Sequence, residues 1–449
     1  MSDTPSEPLV PSPPQGSEPA AEPAAHGAGT RRGYRMLRLL LLLAVPAAAL
    51  VWFWDPLMIQ YRQAQARTCL DKRRETAALD SLRAALRRDL DNANTLLWLA
   101  RTHRRLGDLP RTSLLLDRAE TLGGDAQRIE RERRLVLAQS GRLREVDPLL
   151  GEMLIDAGAD GPDVCEAFVQ GYLVNLRTDD ALRLLDLWQE SFPKDPQPYF
   201  LRGYLMQSLD QLTQAAQIYR QGLALAPERT TMRRQLAEIL VESHQLDEAE
   251  SELARCLDEA PEDPQVHFEL ARCAFQRGDL ARVAQRLEET LQRAPDHYEA
   301  RRLRGQVKLA EGQAAEALPD LESVVAQRPY DTLAREALGR TLSALGRADE
   351  AKVHLDFVVE AGEQLGRVDR LFRESLERPR DAALRYEIGS ILFQYGSPDD
   401  AARWMRAALE LQPDHAGAHR ALATYSEARG DAAGASFHRQ HANADQQQP

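Results

Sequence analysis

The sequence predicts an all-α fold, a solenoid of tandem helix–turn–helix units, on three observations. Prolines stand at Pro193, Pro227, Pro261, Pro295 and Pro329, each 34 residues after the last. Gly107 and Gly141, and then Gly278, Gly312 and Gly346, keep the same spacing. Between these marks the apolar residues recur at three- and four-residue spacing, the period of a helix and not of a strand. A period of this length indicates a stacked array of one supersecondary unit rather than a single catalytic core.

From the N-terminus, residues 1–30 are rich in Pro, Ala, Ser, Glu and Gly, a composition that cannot bury a core and predicts a disordered tail. Arg31, Arg32, Arg35 and Arg38 come next, followed by an apolar run from Leu39 to Trp54. Its flanks extend the run to 36–58, about the length a bilayer core requires, so one transmembrane helix is expected there. Trp52, Phe53 and Trp54 suit the aromatic belt at its far interface. The rival is a signal peptide cleaved near Ala47–Ala49. The four preceding arginines favour an extracytoplasmic, periplasmic array; Arg62, Arg67, Lys72, Arg73 and Arg74 on the other side keep a cytoplasmic array open.

The array is expected from 59. In 230–263, Leu236, Ala237 and Leu240 form one apolar stripe and His244–Asp247 turns the chain. Ala249, Leu253 and Cys256 form a second stripe, which Pro261 closes. Units begin near 59, 93, 127, 162, 196, 230, 264, 298 and 332, giving an array over 59–365. An insertion at 366–381 follows, with Val368, Leu371, Phe372 and Leu376 at helical spacing; it predicts an extra short helix that bends the solenoid, or else a plain helix extension. A final pair of units over 382–449 restores the register with Gly389, Gly396, Ala401 and Pro413, then Leu422, Ala423, Gly430 and Ala435. The unit at 127 is poor and the unit at 162 is displaced by one residue.

These residues resemble the tetratricopeptide repeat family, with small residues at positions 8, 20 and 27 and proline at 32. Unit 196 supplies Gly203, Ala215, Gly222 and Pro227; unit 298 supplies Gly305, Gly312, Ala317, Leu321 and Pro329; unit 332 supplies Leu338, Gly339, Leu342, Gly346, Ala351 and Leu355. Unit 127 departs from the pattern, with Arg133 and Arg134 in the Leu-Gly slots. The resemblance implies a right-handed superhelix of ten to eleven hairpins whose first helices line a concave groove. Positions 2, 5, 9, 12 and 13 of the central units would face that groove. They carry Phe200, Tyr204, Arg234, Phe268, Arg272, Phe275, Arg302 and Arg340, side-chain types common at protein interfaces. Position 9 holds no asparagine, so the carboxylate clamp of chaperone-binding members is absent; position 6 lacks the asparagine ladder of the sugar-transferase members.

Charge and chemistry narrow the function classes. The net charge is −12. Residues 58–144 hold 19 basic and 11 acidic side chains, whereas 145–449 hold 34 and 53. The acidic bulk argues against nucleic acid as a partner, and the basic stretch beside an apolar run suits anionic lipid. Only four of the 57 basic residues are lysine, a usage associated with GC-rich bacterial genomes. Cys69, Cys165, Cys256 and Cys273 form no C-x-x-C pair and read as free thiols, although Cys256 and Cys273 fall on neighbouring helices. Metalloprotease, nucleophile-elbow, phosphate-loop and dinucleotide signatures are missing. His415 and His419 are four apart but lack a third ligand, so no metal, cofactor or catalytic residue is assigned. The expected function is a non-enzymatic, membrane-anchored bacterial scaffold that binds a protein or peptide. Its rivals are a self-associating assembly factor of a cell-envelope machine and a non-catalytic subunit of an enzyme complex.

Overall fold

The computed structural model describes residues 54–444, and among them helix follows helix without a strand. The first hairpins are α1 (54–71) with α2 (Glu75–Leu86), α3 (Ala93–Arg105) with α4 (Leu109–Thr121), α5 (Ala126–Gln139) with α6 (Leu150–Ala157), and α7 (Gly161–Val174) with α8 (Thr178–Ser191). The central ones are α9 (Gln197–Ser208) with α10 (Leu212–Leu225), α11 (Thr230–Glu242) with α12 (Leu246–Glu259), α13 (Pro264–Gln276) with α14 (Leu280–Arg293), and α15 (Tyr298–Ala310) with α16 (Ala314–Gln327). The last are α17 (Thr332–Ala344) with α18 (Ala348–Glu377), α19 (Ala382–Tyr395) with α20 (Pro398–Leu411), and α21 (Ala416–Ala428) with α22 (Ala432–Ala444).

The periodic residues set this punctuation. Each periodic proline stands two residues after a second helix: α12 ends at Glu259 before Pro261, and α16 at Gln327 before Pro329. Proline supplies no N–H and disfavours helical backbone in the residue before it. Two residues beyond Pro261, Pro295 and Pro329, a polar side chain caps the next helix. Asp263 accepts from the Gln265 N–H and Asp331 from the Ala334 N–H. In every hairpin but α19–α20, where Gly396 is extended, the turn has a residue with positive φ, a glycine at 107, 141, 278, 312, 346 and 430. The same backbone recurs at Arg73, Leu176, Asp210 and His244, with φ of 54 to 58°. Leu176 lies one residue past the 34-residue spacing, the displacement expected for that unit.

Helices of one hairpin approach closely where position 8 is glycine. A Cβ on Gly203 would lie 2.5 Å from the Tyr219 ring, and one on Gly305 would lie 2.7 Å from Leu321. Tyr219, Leu321, Leu236, Leu240, Leu253 and Cys256 are buried. Each such aliphatic side chain stabilises the fold by roughly 1.5–3 kcal/mol.

Two units depart from the rule. In the third hairpin Arg134 occupies the small-residue slot; it is half-buried and donates to Glu130 at 2.9 Å, while Arg133 donates to Asp117 at 2.9 Å and Glu120 at 2.7 Å. The close approach that glycine allows elsewhere is missing here. The chain instead runs through two 3-10 turns, Leu143–Glu145 and Asp147–Leu149, before the short α6. The second departure corrects an expectation. Residues 366–377 form no separate helix; they prolong α18 to 30 residues. No proline or capping residue interrupts 348–377, and Leu371 with Val368 and Leu365 joins the core formed with Ile388, Ile391 and Tyr395 of α19.

The array also returns on itself. Asn175 donates to the Glu410 carboxylate at 2.8 Å, and the Arg142 guanidinium lies 4.1 Å from the centre of the Phe437 ring. These contacts join the third and fourth hairpins to the tenth and eleventh. The expected tail, 1–30, and most of the expected span, 36–58, lie outside the described residues. Among the described residues no helix is long and apolar enough to cross a membrane.

Candidate protein-binding groove

The basic stretch finds its counter-charges inside the molecule. Arg101, Arg104 and Arg105 share the inner end of α3. Arg104, with no exposed side-chain surface, donates to Glu132 of α5 at 2.7 Å. Arg105 donates to Asp163 of α7 at 2.7 Å and to the Leu70 carbonyl at 2.7 Å. Arg101 pairs with Asp163 and donates to Asp160 at 2.9 Å. A cavity of about 20 Å³ lies between Arg101, Arg131, Glu132 and Asp163, room for about one water. Arg73, in the first turn, pairs with Glu166. Gln197 donates to Glu166 at 2.7 Å, and Arg229 donates to Gln197 at 2.9 Å. Burial opposes ionisation of Asp163, but Arg105, Arg101, Arg104 and Arg73 outweigh it and hold the carboxyl well below the usual range. This network closes the inner face of the first hairpins against α7, α9 and the start of α11. Residues 101, 104 and 105 occupy positions 9, 12 and 13 of their unit, and 163 and 166 occupy positions 2 and 5 of theirs. The slots that predicted the groove would therefore have revealed this cluster had they been read in the early units.

The predicted groove residues divide by burial. Tyr204 and Phe275 are exposed, at 40% and 46%. Phe200 is half-buried, 6.2 Å from the Tyr219 ring and 6.0 Å from the Arg229 guanidinium. Phe268 is 5% exposed, packs 4.8 Å from His297 and belongs to the core with Ala271 and Leu303. It is thus a packing residue and not a free anchor. Arg272 donates to Glu269 at 2.9 Å and stands 3.9 Å from Glu242. Arg302 donates to Asp331 at 2.7 Å. Arg234 is half-buried, and Arg340 is exposed, 3.9 Å from Glu336.

What joins Arg234 and Arg272 is a set of carboxylates. Burial raises the Glu238 carboxyl and Glu242 adds to the rise, against Arg272 and Arg234. Burial pushes Glu269 up to about 7; Arg272 opposes the shift, while Glu238 and Glu299 add to it. The carboxylates occupy positions 2, 6, 9 and 13 of three successive first helices. Read singly along the sequence, they are indistinguishable from the solvated faces of an acidic helical protein.

Among the described residues no group of three or more His, Cys, Asp or Glu is placed to hold a metal. His415 caps α21 through the Ala418 N–H at 3.2 Å, whereas His419 turns to the Pro413 carbonyl at 2.7 Å and His438 at 2.9 Å. All four cysteines are free, and burial pushes Cys256 and Cys273 up to about 12, far from thiolate reactivity.

Comparison with known proteins bears on the fold. Tetratricopeptide repeat models match residues 208–267, 251–307 and 308–371, and a second model of the same repeat matches 64–125 and 386–436. No curated protein matches. Among solved structures, the chain is similar to a tetratricopeptide repeat protein from Parabacteroides merdae (19% identity over 64% of this chain and 99% of that one, TM-score 0.37). It is also similar to YrrB, described as having an unusual peptide-binding site (18% identity, 53% and 96% covered, TM-score 0.29). A third is PilW, described as a type IV pilus biogenesis factor (15% identity, 49% and 94% covered, TM-score 0.27). Over 64–125, 208–371 and 386–436 the matched repeats agree with the observed hairpins, and the chain belongs to the tetratricopeptide repeat family.

Proposed function

We propose that this chain is a non-catalytic scaffold that holds a protein partner, as an extended segment, along the first helices of its central hairpins. The observation that carries this reading is the exposure of Tyr204 and Phe275 on α9 and α13, flanking the carboxylates of α11. Large aromatic side chains on the inward positions of a rigid helical frame make effective anchors, because little conformational freedom is lost on binding. The first three hairpins do not offer such a surface, since their inner positions are occupied by the Arg73–Glu166 and Arg104–Glu132 pairs.

The apolar run at 36–58 tethers the array to a membrane in this reading, with the array on the extracytoplasmic side. An exposed stripe supports it: Trp54, Leu57 and Tyr61 lie at i, i+3 and i+7 of α1, with 50%, 60% and 58% of their surfaces exposed. Tryptophan and tyrosine at such a junction suit the interfacial zone of a bilayer.

One experiment addresses partner and tether together. A photo-reactive residue is placed at 204 or 275, and in a separate variant at Val353, exposed on a second helix. Carbonate-washed membranes are then irradiated. The expected result is retention of the chain in the membrane pellet and the same crosslinked protein from 204 and 275, with none from 353. Release into the wash would contradict the tether. Equal crosslinking from 353, or crosslinks only between copies of this chain, would contradict the groove.

A further inference from the structure

The centre of the concave surface carries more carboxylate than its own arginines balance. Glu238 and Glu242 come from α11, Glu269 from α13 and Glu299 from α15. Glu269, 1% exposed, accepts from Gln265 at 3.1 Å and from Arg272 at 2.9 Å. Arg234 is the other guanidinium near Glu238. The next arginines are engaged elsewhere: Arg302 bonds Asp331 and Arg340 lies beside Glu336. Four carboxylates thus face two guanidiniums in a partly dehydrated setting, where like charges interact strongly.

A second observation is independent of that charge count. Tyr219 has no exposed surface, and its hydroxyl has no hydrogen-bond partner among the described residues. The electrostatic neighbours of this hydroxyl are Glu238 and Tyr204, which places it toward the same carboxylates. A buried phenol ordinarily finds a partner. A cation entering between Tyr204 and Phe275 would meet the carboxylates of Glu238 and Glu242 and the exposed aromatic faces, with the buried, unshared phenolic oxygen near Glu238.

We propose that the surface formed by Glu238, Glu242, Glu269, Glu299 and the Tyr219 hydroxyl is a receptor for a cationic side chain, arginine or lysine, on the extended segment of the partner. The proposal rests on the reading of the array as a partner-binding groove, and names the chemistry the groove selects. The incoming charge replaces the missing counter-ion, so specificity comes from charge and the grip from the flanking aromatic residues.

The test uses the full-length chain and a fluorescein-labelled ten-residue peptide of glycine, serine and leucine with two arginines. The control peptide carries citrulline, a neutral isostere, in place of each arginine. Anisotropy titrations should show the citrulline peptide at least about tenfold weaker, and the arginine peptide about tenfold weaker on Glu238→Gln/Glu269→Gln. Asp80→Asn/Asp296→Asn, which neutralises two carboxylates that are 82% and 88% exposed, should stay within about twofold. Arg272→Gln removes the competing cation and should bind the arginine peptide more tightly than the parent, a gain that misfolding cannot produce. Equal affinity for both peptides, or unchanged binding on Glu238→Gln/Glu269→Gln, would overturn the proposal and indicate attraction to the acidic body at large. Loss of the arginine preference with the peptide still held through Tyr204 and Phe275 would sink the charge selection alone.

Discussion

Asp163→Ala is expected to destabilise the N-terminal half by about 3–5 kcal/mol, the usual cost of stranding buried charges. Asp163 is 2% exposed and is shared by Arg101 and Arg105, with Arg104 at 3.7 Å. Its removal takes away the carboxylate partner of Arg105 and leaves Arg101 with Asp160 and Arg104 with Glu132 alone. Repeat arrays unfold in parts, so the effect should be regional: hydrogen exchange should accelerate through 75–121 and stay unchanged through 298–344. The same carboxylate sets a pH dependence. Its folded pKa lies below the unfolded value, so its contribution is present above about pH 4 and is lost as pH falls through the folded pKa. Uniform destabilisation of the whole array, or none at all, would contradict the view that this network holds the first hairpins onto the fourth to sixth.

Glu269→Gln is expected to act in the opposite direction. The Glu269 carboxyl is raised from 4.5 to about 7, so the folded chain holds that proton more tightly than the unfolded chain. For such a group stability falls as pH rises from about 4.5 to about 7, by up to about 3 kcal/mol. The glutamine variant keeps an acceptor for Arg272 and carries no charge. Denaturant midpoints at pH 8 should therefore be higher for the variant than for the parent, and the two should converge below about pH 4.5. A variant less stable than the parent at pH 8 would show that the Arg272 pair outweighs the repulsion. A stabilising replacement at a concave position is what a site retained for binding would show.

The fold was legible because its determinants are local and recur. Pro261 stops a helix, Asp263 starts the next, and Gly278 turns the chain, and each does so with its near neighbours in sequence. Even the weak unit at 127 was readable, since Arg134 stands in a slot that most other units fill with glycine or alanine. The length of α18 was harder to read. Helical spacing over 366–377 is the same for an extension as for a separate helix, and the packing of Leu371 on α19 is a tertiary contact. The residues expected to line the groove differ in burial. Tyr204 and Phe275 lie exposed as their slots implied, whereas Phe268 turns into the core because His297 of the next unit offers it a ring to pack on. The carboxylate set was hidden because Glu238, Glu269 and Glu299 lie 30 or more residues apart, each on a different first helix. The Asn175–Glu410 contact, spanning 235 residues, has no local signature at all.

The central claim, that the concave face of the middle hairpins holds a partner, is tested most directly by the two exposed aromatics. Tyr204→Ala/Phe275→Ala should leave the circular-dichroism spectrum unchanged and lower the unfolding midpoint by only a few degrees, because the two side chains are 40% and 46% exposed and belong to no core cluster. Affinity for the partner crosslinked from positions 204 and 275 should fall at least about tenfold. Undiminished affinity in the folded variant would contradict the claim.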